Sequence, residues 1–204
     1  MAECLLLTTL LSAQSVFSTN NKYQGIIEYA NTINLTTVSF TLVNASGETL
    51  YTKSNPEAIT FFVTNAGTVF ATTEKRLFFY DSSGKDTLLK DLNYPNGFGF
   101  SPDNARFFAS DKNDLVAYCP CGRLKLRLKP ARLFASTARA KIVVAVSNDT
   151  LIIYRDGKEK HTLTLATPYI HNVAFSDDGR YVILKEPSGR ERFEVYSGKK
   201  MEDK

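Results

Sequence analysis

Short apolar runs separated by small polar clusters fill the chain, and one arrangement of them recurs five times. A largely apolar run of four closes on a turn containing glycine: Phe40-Thr41-Leu42-Val43 before Gly47, Leu77-Phe78-Phe79-Tyr80 before Gly84, and Leu115-Val116-Ala117-Tyr118 before Gly122. Leu151-Ile152-Ile153-Tyr154 before Gly157 and Phe193-Glu194-Val195-Tyr196 before Gly198 complete the set, with glycines 37, 38, 35 and 41 residues apart. Apolar residues at consecutive positions predict strands buried on both faces, as in a sheet sandwiched between neighbours. Glycine in the turn supplies the positive φ that a tight hairpin needs.

A second anchor precedes each run. It joins an apolar residue to a small polar turn, at Phe17-Ser18-Thr19-Asn20, Phe62-Val63-Thr64-Asn65, Phe100-Ser101-Pro102-Asp103, Phe134-Ala135-Ser136-Thr137 and Phe175-Ser176-Asp177-Asp178. Further apolar stretches follow these turns, such as Phe107-Phe108-Ala109 and Ile142-Val143-Val144. Each unit then reads strand, turn, strand, strand, glycine turn, strand, over about 12–52, 56–92, 94–129, 131–166 and 169–198 within a single domain. The five Phe residues opening the polar turns are expected at equivalent buried positions.

Only Lys199 to Lys204 follows Gly198, so a fourth strand is expected to be missing from the fifth unit. Cys4 to Leu11 precedes the first unit and is expected to fill that place, closing the last unit and removing an exposed edge. The same segment, followed by Ser12-Ala13-Gln14-Ser15, also has the outline of a signal peptide over Met1–Ser15, although the n-region carries Glu3 and no Lys or Arg. The strand reading goes with a cytoplasmic location and the signal reading with an extracytoplasmic one.

Phe100-Ser101-Pro102-Asp103, Phe175-Ser176-Asp177-Asp178-Gly179-Arg180-Tyr181 and Tyr80-Asp81-Ser82-Ser83-Gly84-Lys85 resemble the repeat of WD40-like β-propellers, including the TolB and YncE-like groups. The resemblance extends over about residues 15–198. It implies an all-β propeller of about five four-stranded blades, with the ring closed within one chain or completed by a second copy. The Trp-Asp and Gly-His signatures of true WD40 repeats are absent, so the resemblance carries no particular activity.

Composition narrows the chemistry. A formal charge of +4 over 204 residues is only mildly basic, and 14 Phe and 10 Tyr without a Trp suit pleated strands. No apolar run reaches the roughly 18 residues that span a bilayer. Three cysteines, Cys4, Cys119 and Cys121, are an odd set that argues against a disulfide framework. Cys119-Pro120-Cys121 is expected to be a turn that tolerates small residues, because two cysteines separated by one proline meet disulfide geometry with difficulty, with soft-metal binding or an intermolecular disulfide as the alternative. His161 and His171 have no cysteine or carboxylate at ligand spacing, so neither metal nor cofactor is expected.

Arg123, Lys125, Arg127 and Lys129 alternate with Leu124, Leu126 and Leu128, placing every charge on one face and every leucine on the other. Such a strand protects an outer edge. It also offers a stripe for an anionic partner, though without interleaved aromatics it has nothing on which bases would stack, and nucleic acid is not expected. Asp177-Asp178-Gly179 and Pro102-Asp103-Asn104 read as hairpin turns rather than calcium loops. Glu57 and Asp103 are the carboxylates considered for glycosidase-type catalysis. The leading expectation is a non-enzymatic scaffold that binds another protein. A carbohydrate-active or lactonase-type enzyme and a lectin-like binder are the competing classes.

Overall fold

The computed structural model describes residues 10–32, 35–54, 56–58, 60–187 and 189–201. Its strands form five four-stranded antiparallel sheets in which consecutive strands are neighbours, and a three-residue 3-10 turn at Ala138–Ala140 is the one helical element described. The chain divides into two compact units, residues 1–91 and 92–204.

The first unit holds two sheets. One contains β1 (Leu10–Phe17), β2 (Tyr23–Thr32), β3 (Leu35–Asn44) and β4 (Thr49–Ser54). The other contains β5 (Thr60–Val63), β6 (Val69–Thr72), β7 (Arg76–Tyr80) and β8 (Asp86–Asp91). Their facing sides share a core in which the Phe40 and Phe61 rings stack at 4.3 Å, surrounded by Ile27, Leu42, Val63 and Val69. Every residue of β6 is buried, as the consecutive apolar run requires of a strand packed on both faces.

Three sheets make up the second unit. They are β9 (Gly97–Phe100), β10 (Phe107–Ser110), β11 (Leu115–Tyr118) and β12 (Leu124–Leu128); then β13 (Leu133–Ser136), β14 (Ile142–Ser147), β15 (Thr150–Arg155) and β16 (Lys158–Thr164); then β17 (Asn172–Phe175), β18 (Tyr181–Glu186), β19 (Gly189–Glu194) and β20 (Lys200–Met201). Phe108, Leu115, Val143 and Ile152 join the first two of these sheets; Val144, Ile153, Val182 and Leu184 join the second and third.

Two hydrogen-bonded devices repeat through these sheets. A hydroxyl residue ends or follows the first strand of every sheet and closes the first turn: Ser18, Thr64, Ser101, Thr137 and Ser176 accept backbone N–H bonds from Tyr23, Thr68, Arg106, Ile142 and Tyr181 at 3.0–3.2 Å. The glycine turn supplies the second device. Gly84, Gly157 and Gly198 hold φ of +80°, +73° and +69°, and each meets a side chain from the fourth strand of the preceding sheet. A Cβ on these glycines would stand 2.7 Å from Tyr51, 3.0 Å from Leu126 and 3.0 Å from His161.

Sequence and structure differ in four places. The fifth sheet takes its fourth strand from Lys200–Met201, paired to Phe193 and Arg192, where Cys4 to Leu11 was expected. Leu10 and Leu11 pair instead with Asn31 and Ala30 in the first sheet, because β1 must run the length of the long β2; residues 4–9 lie outside the described residues. The five Phe residues are not equivalent: Phe17, Phe100 and Phe175 directly precede the turn hydroxyl, whereas Phe62 lies two and Phe134 three residues before it. Strand side chains alternate, so Phe62 faces the other side, and Phe17 is 55% exposed while the others are half-buried. The basic strand does not alternate strictly. A β-bulge shifts the register so that Ala117 faces Leu126 and Tyr118 faces Leu124, which turns Leu124 outward. Finally, Cys119 and Cys121 form a disulfide, their Cα atoms 5.1 Å apart in the glycine turn, well within bridging range.

Gly47 and Gly84 separate the two demands on the glycine turn, since both have φ near +80° but nothing lies within 4 Å of the Gly47 Cβ position. Gly47→Ala is expected to cost about 1 kcal/mol from its backbone alone. Gly84→Ala adds the collision with Tyr51 and should cost about 2–4 kcal/mol. Urea unfolding of both variants measures the difference.

Burial beside Tyr51 and β8 raises the Tyr80 phenol to about 12, with the Asp86 and Glu57 charges adding to the shift. Desolvation likewise raises Tyr51, whose buried hydroxyl has no hydrogen-bond partner among the described residues. A phenol that ionises later in the folded state contributes stability below pH 10, and this is lost as pH rises towards 12. The thermal midpoint should therefore fall across that window, and Tyr80→Phe with Tyr51→Phe should flatten the fall.

Candidate interaction surface

In a four-stranded meander the first and third turns lie at one end of the sheet, and the second turn and the link to the next sheet lie at the other. The hydroxyl and glycine turns share the first end. In the second unit, the opposite end carries three links, residues 92–96, 129–132 and 165–171.

These links are bonded to one another and to the sheets. Asp111, fully buried beside the end of β10, accepts the N–H of Asn93 at 3.0 Å through Oδ2 and those of Asn113 and Asp114 at 2.8 and 3.1 Å through Oδ1. Ser110 Oγ donates to the Ala131 carbonyl at 2.5 Å, and Asn96 Nδ2 donates to the same oxygen at 3.3 Å. Arg132 Nη2 reaches the Pro168 and Ile170 carbonyls at 3.1 and 2.6 Å. Neighbouring links are thus coupled in series by charge-assisted or buried hydrogen bonds.

Two tyrosines project from this bonded base. Tyr94 is 76% exposed and Tyr169 is 73% exposed. Tyr94 also holds φ of +53°, a left-handed conformation that a bulky side chain rarely adopts and that costs of order 1–3 kcal/mol. The ammonium of Lys112 lies 5.8 Å from the Tyr94 ring centre. A cleft of about 300 Å³ opens beside the links, between β9 and β13, with Gly97 and Gly99 close to the Phe134 ring. Sequence reading missed this surface. The only signal was the turn composition of Asn93-Tyr94-Pro95-Asn96-Gly97, which indicates a break and says nothing of exposure.

The residues singled out from the sequence go elsewhere. Arg123, Lys125, Arg127 and Lys129 lie on or beside β12, the outermost strand of its sheet. Arg127 Nε is 3.4 Å from Asp114, and Lys129 Nζ is 2.8 Å from Glu159 on the neighbouring sheet. The hydrogen bond with Lys129 lowers the Glu159 carboxyl below its usual range and raises the Lys129 ammonium. Glu57 is bonded to Arg76 at 2.8 Å at the link end of its sheet, whereas Asp103 lies at the turn end of its own. Asp103 accepts Ser101 Oγ at 2.7 Å and the Arg139 N–H at 2.9 Å, so it serves turn closure. His161 packs on Gly198 with Nε2 2.8 Å from the Tyr196 carbonyl oxygen, and His171 is exposed. Among the described residues, no three His, Cys, Asp or Glu side chains gather as metal ligands, and no helix is long and apolar enough to cross a membrane.

Comparison with solved structures places the five sheets. A eukaryotic initiation factor aligns with 94% of this chain at a TM-score of 0.70 and 10% identity. The fold is a β-propeller. Each sheet is one blade, and the similar chains are WD40-like propellers. Hsv2 of Kluyveromyces lactis aligns at a TM-score of 0.58 and 14% identity over 94% of this chain, and a chain of the mitotic checkpoint complex at 0.57 and 9% over 96%. The chain spans 53% of the initiation factor, 62% of Hsv2 and 64% of the checkpoint chain. No family model and no curated protein matches the sequence. Likeness at these identities establishes the propeller fold alone.

Lys125 and Arg127 are expected to respond differently to charge reversal. Lys125→Glu lies at an exposed bulge and should change stability by less than about 0.5 kcal/mol. Arg127→Glu faces Asp114, whose side chain is 13% exposed, and should cost about 1 kcal/mol. Chemical denaturation measures both. Salt-dependent retention on heparin that collapses in the double variant would identify the stripe as a binding surface instead.

Proposed function

We propose that the chain is a non-enzymatic protein-binding module whose contact surface is the link end of the second unit. The observation that carries this reading is Tyr94, an exposed aromatic held in a costly left-handed backbone by a buried aspartate. Strain of that kind persists where the surrounding structure enforces it, and it concentrates at binding sites. Tyrosine and arginine are also the residues in which interface energy concentrates. Arg132 supplies a guanidinium beside Tyr169, and the adjacent glycine-floored cleft accommodates a projecting apolar side chain. The solution of a similar chain within a mitotic checkpoint complex supports a role in assembly.

A photo-crosslinking amino acid placed at 94 or 169 in the native cell should yield a discrete heavier species containing another protein. The same group at Thr162, exposed on the outer strand β16, should yield none. Tyr94→Ala combined with Tyr169→Ala should weaken the interaction by about tenfold or more with the thermal midpoint retained. Equal crosslinking at all three positions would refute the assignment.

A further inference from the structure

The glycine turns of the first three blades share one backbone hydrogen-bond pattern and differ in the three side chains before the glycine. In each, the glycine N–H donates to the first turn residue's carbonyl at 3.0 Å: Gly47 to Asn44, Gly84 to Asp81, Gly122 to Cys119. That first residue in turn donates its N–H at 3.0 Å to the carbonyl of Glu48, Lys85 or Arg123. In the first two turns a hydrogen bond joins the first and third side chains, with Ser46 Oγ donating to Asn44 at 2.7 Å and Ser83 Oγ to Asp81 at 2.6 Å. In the third turn the corresponding pair is Cys119 and Cys121, joined covalently. The sister turns keep this backbone without a covalent link, so the fold does not need the bridge. Its three-residue loop is also a very short constraint on the unfolded chain, where entropic stabilisation is small.

The sister turns also show what the first position is built to hold. Asp81 Oδ1 accepts the N–H groups of Ser83 and Lys85 at 2.9 and 3.0 Å, and Asn44 Oδ1 accepts those of Ser46 and Glu48 at 3.1 and 3.0 Å. The Ser83 hydroxyl, then the backbone N–H groups of Lys85 and Ser83, hold the Asp81 carboxyl below its usual range. The third turn has the same two backbone bonds, so the N–H groups of Cys121 and Arg123 are the counterparts of those of Ser83 and Lys85. After reduction, the Cys121 thiol takes the place of the Ser83 hydroxyl. Cys119 is 6% exposed and Cys121 is exposed, so an incoming reagent meets Cys121 first.

We propose that Cys119 and Cys121 form a thiol–disulfide exchange site that receives a low-molecular-weight thiol of the glutathione class at Cys121. The incoming thiolate attacks Cys121 Sγ, forming a mixed disulfide and expelling Cys119 as a thiolate into the N–H seat of the turn. A better-stabilised leaving thiolate departs faster. A second thiolate attacks the sulfur of the bound thiol, releasing Cys121 as thiolate and the two reagents as their own disulfide. Two electrons pass from two thiols to the protein, which gains two protons from solvent as the dithiol forms. Oxidation by the small disulfide runs through the same steps in reverse.

The test incubates the oxidised full chain with reduced glutathione, quenches in acid, alkylates the free thiols and maps peptides by mass, which resolves Cys4 from the pair. The disulfide should open without denaturant, leave the circular dichroism spectrum and thermal midpoint unchanged, and reform in oxidised glutathione. Treated with oxidised glutathione, Cys119→Ser, lacking the resolving sulfur, should retain glutathione on Cys121, and Cys121→Ser should carry about tenfold less on Cys119. A bridge that resists glutathione until the chain is unfolded, a midpoint that drops on reduction, or equal adducts on the two variants would each overturn the proposal.

Discussion

The approach of a fourth-strand side chain to the glycine of the next blade's turn governs how successive blades meet within each unit. Tyr51 against Gly84, Leu126 against Gly157 and His161 against Gly198 are chemically unlike side chains performing one task. What they share is the surface they touch: a turn with no Cβ, in a conformation that disfavours any other residue. This explains why glycine recurs there when the turn residues before it vary from Asn-Ala-Ser to Cys-Pro-Cys. It also explains why the contacting position tolerates an aromatic, an aliphatic and an imidazole ring. A concave glycine surface sets a distance and leaves the chemistry of its neighbour open.

At the same end of the blades, the serine and threonine closures fix each first turn through its own backbone. Hydroxyl and glycine turns together make this end regular and self-satisfied, so the opposite end can vary. In the second unit that opposite end carries a buried aspartate, an arginine bound to two carbonyls and two exposed tyrosines, each tyrosine three residues before the first strand of its blade. Repetition serves stability at the turn end, and the contact surface proposed above lies at the other. The Cys119–Cys121 bridge is the exception, a chemical departure set within the regular end, and it is possible because the backbone of that turn is already determined by its hydrogen bonds.

Much of the fold was legible from the sequence because the signals were local and repeated. Consecutive apolar residues in β6, β11 and β15 reported burial on both faces, and phased glycines reported the hairpins between third and fourth strands. The hydroxyls of Ser18, Thr64, Ser101, Thr137 and Ser176 were equally periodic, but the larger Phe residues beside them drew the eye and misplaced the register by one or two positions at Phe62 and Phe134. Alternation in Arg123 to Lys129 likewise suggested a flat strand, since a bulge shifts pairing without altering composition.

The sequence by itself determined the number of blades, the strand order within each and the turns that must be glycine, because each depends on residues within about 40 positions of one another. Tertiary structure decided the rest. Whether Cys119 and Cys121 bond depends on the directions of two Cβ vectors, which a turn backbone sets and a spacing rule does not. Whether Tyr94 is buried or displayed depends on Asp111, seventeen residues later, fixing the loop that carries it. The link end of the second unit is assembled from three segments distant in sequence, and its chemistry exists only once hydrogen bonds from Asn96, Ser110 and Arg132 draw them together.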